Sequence, residues 1–440
     1  MTRPAPFSPS RRALLGTAGT AAALTAAGPA AARNADDYGP LQPPDSNGLM
    51  LPAGFTSRIV AVGGETVTGT GFTWPILADG GATFATGDGG WIYVANSETV
   101  PGGVGALRFN ANGDIDDAYA ILTGTIGNCA GGATPWGTWL SCEEYFAGLA
   151  YECDPFNPSQ GIARPALGTF QHEAAAVDPV RQTIYLTEDK SDGRLYRFTP
   201  SSYPDLTAGL LEVAVVAGGA PTQSGVVRNV SWLPLLNPNP PLGGSGAGSN
   251  PPEDRATRYQ VPASTRFRGG EGAFYFEDTV YFTTKGDNQV WALNTAAQTI
   301  EIIYRAAEYS PPVLTGVDNV FVTPNGDVYV AEDGGNQQLV ALTPSGGVIP
   351  ILQAPAYSGG GGSSEIVGPA MSPDGTRLYF SSQRGDNGNE TYRGVTFEVT
   401  GNFNGLNTRT APALPTAMAV LLGAGLAAMA SLRRRTPTGN

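Results

Sequence analysis

The sequence predicts an all-β fold, a six-bladed β-propeller, and three observations carry that expectation. Short aromatic-centred segments recur: Tyr93 in WIYVANSE, Trp139 in WGTWLSCEE, Tyr185 in TIYLTED, Tyr281 in TVYFTTKGD, Tyr329 in DVYVAEDGG and Tyr379 in RLYFSSQRGD, at gaps of 46, 46, 96, 48 and 50 residues. A period of roughly 40 to 50 residues with several short strands per unit is the mark of propeller blades. Sixty Gly, 36 Pro and a charged fraction of 14% describe a turn-rich chain without long amphipathic helices. An acidic residue also recurs at a similar phase before five of the six aromatic strands, through Asp79, Glu173, Glu271, Asp318 and Glu365, and Cys129 stands in the remaining slot. Innermost propeller strands line a shared axis, so residues at one phase of the repeat converge on one small volume.

Along the chain, residues 1–32 read as an export signal: Arg11-Arg12, an Ala-rich apolar run, then Ala30-Ala31-Ala32 as a small-residue cleavage site. The paired arginines favour the twin-arginine route, and the expectation is an extracellular or cell-surface protein. Residues 33–70 form a lead-in ending in strand material, and residues 71–400 carry the blades. Turns such as Gly87-Asp88-Gly89-Gly90, Asn325-Gly326-Asp327 and Pro373-Asp374-Gly375 separate the strand-like runs. Residues 222–262 interrupt the repeat with a Pro-, Gly- and Ser-rich insertion. Trp232 lies near the middle of the doubled gap, so a seventh blade is the alternative architecture. Residues 411–440 hold an apolar stretch, Ala417 to Leu432, followed by Arg433-Arg434-Arg435. Positive charge beyond a short apolar run reads as a membrane anchor or a surface-sorting signal.

The formal net charge is −13, and discounting Arg3, Arg11, Arg12 and Arg433 to Arg435 takes it to −19. Such a chain repels phosphate backbones, so nucleic acid is excluded as a partner and divalent cations are favoured. The remaining partner expectations are a small-molecule substrate and a monomeric state. Three cysteines are too few for a disulfide framework. Two of Cys129, Cys142 and Cys153 could pair, or Cys142, beside Glu143 and Glu144, could be a thiolate ligand for a softer transition metal. The single histidine, His172, rules out His-rich zinc chemistry and reads as a structural residue or as a partner that orients Glu173.

A second acidic set follows the strands: Glu98, Glu143, Glu144, Glu188, Asp189, Asp287, Glu332, Asp333 and Asp386. No nucleophile elbow, phosphate-binding loop or dinucleotide fingerprint stands in its required context. Oxygen-rich metal coordination is the chemistry left. Carboxylates suit Ca²⁺, while a thiolate among them suits iron.

The block Asn128-Cys129-Ala130-Gly131-Gly132-Ala133-Thr134-Pro135-Trp136-Gly137-Thr138-Trp139-Leu140-Ser141-Cys142-Glu143-Glu144 resembles the PhoX-type alkaline phosphatases. So do His172-Glu173, Glu188-Asp189, Gly270-Glu271-Gly272, Val317-Asp318-Asn319 and Glu332-Asp333. The likeness spans nearly the whole mature chain and points to a secreted branch of the family. It implies a six-bladed propeller holding Fe³⁺ and Ca²⁺ and hydrolysing phosphomonoesters. By matching motifs it implies Cys142, Glu173 and Glu271 as iron ligands, with Glu143, Glu144, Glu188, Asp189 and Glu332 as calcium ligands or their neighbours. Asp318 and Glu365 join the metal set through the phased repeat.

One departure concerns phosphate binding. The family carries an arginine two positions before the glutamate matching Glu271, where this chain has Gly269. Arg268, Lys285 and Arg384 are therefore the candidate catalytic cations, with Lys190 as a further substitute. The weakened anion clamp leaves a lactonase-like calcium hydrolase or a non-catalytic calcium-binding propeller as alternatives.

Overall fold

The computed structural model describes residues 38–357, 364–385 and 393–403. The proposed signal at 1–32, the apolar tail at 411–440 and Asp386 lie outside the described residues. Among those described, no helix is long and apolar enough to cross a membrane.

The chain is all-β. Strand β1 (Thr56–Val62) precedes a four-stranded antiparallel sheet of β2 (Ala78–Ala85), β3 (Trp91–Ser97), β4 (Gly102–Phe109) and β5 (Ile115–Thr125). A second sheet comprises β6 (Asn128–Ala133), β7 (Trp139–Glu143), β8 (Ala150–Cys153) and β9 (Ile162–Ala163). Next come β10 (His172–Asp178), β11 (Thr183–Glu188), β12 (Leu195–Ser202), β13 (Asp205–Val216) and β14 (Arg228–Pro234). They share one nine-stranded sheet with β15 (Gly270–Phe276), β16 (Thr279–Thr284), β17 (Gln289–Asn294) and β18 (Thr299–Arg305), in the order β10-β11-β12-β13-β14-β18-β17-β16-β15. Strands β19 (Val317–Val322), β20 (Val328–Glu332), β21 (Gln338–Leu342) and β22 (Val348–Gln353) make another four-stranded sheet. The last sheet joins β23 (Ile366–Met371), β24 (Arg377–Ser382) and β25 (Val395–Thr400) to β1.

This arrangement is propeller-like, but it corrects the expected blade count. Among the described residues there are four four-stranded sheets and one nine-stranded sheet, where the sequence predicted six separate blades or, alternatively, seven. The strand that overturns the count is β14, drawn from the insertion. It pairs with β13 from Glu212↔Pro234 to Val216↔Val230 and with β18 through Arg228↔Ile300 and Asn229↔Thr299. An added strand between two sheet edges satisfies backbone groups that either edge would expose, and so fuses them. Trp232 does not start a seventh unit. It sits on β14, stacks edge-on to Tyr185 at 5.6 Å and donates to Gln298 Oε1 at 2.6 Å.

The recurring aromatics mark the second strand of each unit, where they are buried: Tyr93 and Tyr329 are 0% exposed. The strand before each lies on the axis. Six inner strands neighbour one another in a closed round, β2 against β6, then β10, β15, β19, β23 and back to β2. Their close approach needs small residues. A Cβ on Gly80 would fall 2.5 Å from Ala130 Cα, and one on Gly272 would fall 2.6 Å from Val320 N.

The ring is closed by the pairing of β1 with β25, from Thr56↔Thr400 to Val62↔Val395. Buried Glu398 on β25 accepts from Arg58 at 2.8 Å, Arg377 at 2.6 Å and the Tyr379 hydroxyl at 2.7 Å. Removing one member of a buried charge network strands the others. Glu398→Ala is expected to cost about 2–3 kcal/mol, below the fully buried range because Arg58 is 42% exposed. Denaturant unfolding checks this, and an unchanged midpoint would refute it.

Candidate metal centre

The inner strands share a local irregularity that creates the site. In β2, β6, β10, β15 and β19 the register with the second strand shifts after the first pair, between Ala78 and Gly81, Asn128 and Gly131, His172 and Ala175, Gly270 and Ala273, and Val317 and Val320. Asp79, Cys129, Glu173, Glu271 and Asp318 each fall inside that shift. A bulge takes a residue out of the strict in-and-out alternation and re-aims its side chain. Here it turns five side chains toward the axis. On β23 the irregularity lies between Val367 and Ala370, and Glu365 reaches the same region from just before the strand.

Polar side chains of the second strands fix these bulges. Asn96 Nδ2 donates to the Cys129 and Ala130 carbonyls at 2.9 and 2.7 Å. Thr187 Oγ1 accepts from Ala174 N and donates to Glu271 O, while Thr283 donates to Asp318 O. Neighbouring inner strands are thereby locked at the level of the ligand side chains.

Four overlapping groups of three result: Asp79, Glu98 and Cys129; Cys129, Glu144 and Glu173; Glu173, Glu271 and Asp318; Asp318, Asp333 and Glu365. Within each group the candidate ligand atoms lie within 4.8 Å of one another. Glu173 is 0% exposed, and neither of its carboxylate oxygens has a hydrogen-bond partner. An ionised carboxylate cannot be left so in a protein interior without a cation or a proton.

Burial first, and then mutual repulsion, pushes the acids upward. Asp79, Glu173, Glu271 and Glu365 all stand well above the usual carboxylate range, Asp318 is raised to about 6 and Glu144 to about 8. The Cys129 thiol is raised too, by burial and then by Asp79 and Glu173. The donor set of carboxylates with one thiol fits hard cations along most of the belt and a softer one beside Cys129. Beyond the belt the channel becomes apolar, a cavity of about 320 Å³ lined by residues such as Ala82, Ala133, Phe274, Phe321 and Met371.

The sequence pattern of the family described as alkaline phosphatase PhoX matches residues 95–386. The chain belongs to the PhoX alkaline phosphatase family. Its reaction class is phosphomonoester hydrolysis. Among solved structures, Pseudomonas fluorescens PhoX in complex with vanadate, a transition state analogue, shares the fold, with a TM-score of 0.64 and 16% identity over 82% of this chain and 97% of that one. A gluconolactonase from Xanthomonas campestris aligns over the same shares with a TM-score of 0.46 and 12% identity. No curated protein sequence matches the chain.

Several residues expected from the family motif occupy other surroundings. Each acidic pair at the end of a second strand divides its work, because successive residues face opposite ways. Glu143 pairs across to Asn128 and accepts from Ile126 N and Leu149 N at 2.9 and 3.1 Å. Glu332 accepts from Thr315 N and Gln338 N at 2.9 and 3.0 Å. Glu188 accepts from Arg194 N, the Tyr196 hydroxyl and Arg258. These three hold loops in place. Their successors Glu144 and Asp333 join the belt, and Asp189 stands near Glu144 and Glu271.

Cys142 occupies the slot of Thr187 and Thr283, one residue before the paired position. It is fully buried among Leu140, Ala150 and Leu167, and its thiol is pushed up by burial and then by Glu143. It joins none of the three-ligand groups found among the described residues, whereas Cys129 joins two. All three cysteines are free, which corrects the pairing alternative. His172 is stacked on Phe170 at 3.6 Å, and its Nε2 lies 3.0 Å from Gly168 O, away from the ligand atoms. Burial lowers it to about 4.

Gly269 stands where the resemblance implied an arginine. Its φ is +68°, and a Cβ there would lie 3.1 Å from Asp189 Oδ1 and 3.8 Å from Glu271 Oε1, so the position faces the belt while offering no charge. Arg268 is exposed, and its charge acts on Asp287 instead. Lys285 does reach the belt, with Nζ 3.2 Å from both Glu271 Oε1 and Asp333 Oδ2. Arg384 lies 3.5 Å from Glu365. Sequence reading left Glu98 and Asp333 out of the ligand set and overlooked Gln383, which donates to both Asp79 and Glu98 at 2.8 Å. The available signal was positional: Glu98, Glu144, Asp189, Lys285, Asp333 and Gln383 each follow the paired end of a second strand.

Proposed function

We propose that phosphomonoester hydrolysis by this chain depends on a Ca²⁺- and Fe³⁺-containing centre held by Asp79, Glu98, Cys129, Glu144, Glu173, Glu271, Asp318, Asp333 and Glu365. The observation that carries the reading is the pair of unpartnered, fully buried oxygens on Glu173. Bound there, such cations would polarise a phosphoryl oxygen and lower the pKa of a bound water. The thiol of Cys129, flanked by Asp79 and Glu98 on one side and Glu144 and Glu173 on the other, is the iron-selecting donor.

The chain's own side chains do the rest. Gln383 holds Asp79 and Glu98 in a fixed orientation, and Gln171 does the same for Glu144 through a 2.7 Å bond. Lys285, 37% exposed, and Arg384, 28% exposed, present positive charge at the mouth, where the phosphoryl group of a substrate would arrive. They take over the neutralising part of the arginine that Gly269 lacks. Export and surface attachment through residues 1–32 and 411–440 are part of the same proposal, since an exported phosphatase would meet phosphoesters and calcium outside the cell.

A chromogenic phosphomonoester assayed at alkaline pH tests the reading. Turnover should appear in metal-replete protein, vanish with chelator and return when calcium is restored. Metal-replete protein that hydrolyses no phosphomonoester would defeat it.

A further inference from the structure

We propose that the Lys285 ammonium is a resident cation of the belt. It holds the place that a metal ion would take between Glu271 and Asp333, so this sector binds one ion fewer than its ligands would otherwise allow. The inference rests on the metal-centre reading above and deepens it.

Six structurally equivalent positions follow the paired ends of the second strands, and five of them carry carboxylates or an amide: Glu98, Glu144, Asp189, Asp333 and Gln383. The sixth is Lys285, after the pair Gly270↔Thr284. Its Nζ does not merely neighbour the belt. It lies 3.2 Å from Glu271 Oε1 and 3.2 Å from Asp333 Oδ2, oxygens of two different three-ligand groups that have Asp318 in common. A cation centred between those groups is what a bridging metal would be.

The opposite sector is built differently. Around Asp79, Cys129, Glu144 and Glu173 no lysine or arginine makes an ion pair among the described residues, and both Glu173 oxygens remain without partners although fully buried. Glu271 Oε1 is paired in charge with Lys285 yet accepts no aligned hydrogen bond, the contact expected of a compact point charge. The ring is therefore asymmetric, with one sector open to ions and one already occupied by a tethered charge. A tethered ammonium cannot dissociate, and it keeps N–H donors available at the mouth.

Metal counting tests this without reference to turnover. Wild type, Lys285→Arg, Lys285→Ala and Lys285→Glu would each be equilibrated with buffered calcium and iron, desalted and measured by elemental analysis, with folding checked by circular dichroism. Lys285→Arg should keep the wild-type count, while Lys285→Ala and Lys285→Glu should each gain about one calcium per chain, because the freed Glu271 and Asp333 carboxylates, with Asp318 and water, would supply the oxygen ligands that Ca²⁺ takes. If Lys285→Glu does not fold, Lys285→Ala, which adds no charge, decides alone. Equal counts in wild type and Lys285→Ala, or a gain in Lys285→Arg as large as in Lys285→Ala, would overturn the proposal. Equal counts in metal-loaded, active protein defeat only this inference; wild type that neither holds metal nor hydrolyses phosphomonoesters defeats the reading beneath it.

Discussion

Glu173→Gln is expected to abolish most turnover in metal-loaded protein while making the chelated protein more stable. The two effects have opposite signs because one carboxylate serves two states. With cations bound, Glu173 belongs to two of the three-ligand groups, and its loss removes charge stabilisation at the centre of the site. A fall in kcat of at least about 10²-fold is the scale seen when one electrostatic stabiliser is removed. Without cations the same side chain is 0% exposed, and its two oxygens have no partner. A neutral amide escapes the cost of keeping that carboxyl either protonated or charged without a partner, on the order of 1–3 kcal/mol. Steady-state kinetics and denaturant melts in chelator measure the two halves. A variant that loses stability in chelator as well as activity would show Glu173 to be a structural residue.

Metal removal should also make stability fall as pH rises. In the metal-free fold, Asp318 is raised to about 6, Glu332 to about 7 and Glu144 to about 8, and Asp79, Glu173, Glu271 and Glu365 are raised as well. Unfolded carboxyls titrate near 4. The folded state therefore binds more protons than the unfolded state between about pH 4 and 8, and stability falls as pH rises through that window. A tenfold difference in proton affinity between folded and unfolded chain is worth about 1.4 kcal/mol, so several such groups make the decline steep, on the order of several kcal/mol. Bound cations favour the deprotonated carboxylates and remove the decline. Thermal melts from pH 5 to 8.5 with and without chelator should diverge as pH rises. A chelated protein equally stable at both ends would contradict the raised carboxyls.

The convergence of the phased residues was legible because a repeat forces equivalent residues onto equivalent places. Asp79, Cys129, Glu173, Glu271, Asp318 and Glu365 were found by phase alone, and the structure brings all six to one axis. The choice within the block Cys142-Glu143-Glu144 was not legible. All three lie in consecutive positions, yet one faces an apolar interior, one caps a loop and one joins the belt. Which neighbour faces the axis depends on the register with Asn128, and linear spacing does not contain that register. The missing arginine shows the same limit. Arg268 is one residue from the expected place, but Lys285, sixteen positions after Gly269, is the cation that reaches Glu271.

By itself the sequence determined the all-β class, the repeating unit and the acidic phase, because aromatic strands, turn residues and carboxylates are local signals that recur with the period of the fold. Only the tertiary structure decided that β14 fuses two units into one nine-stranded sheet and that Lys285 bridges Glu271 and Asp333. Those outcomes rest on pairings between residues 14 to 72 positions apart. Strand edges and charges choose such partners by proximity in space, which composition and spacing along the chain do not encode.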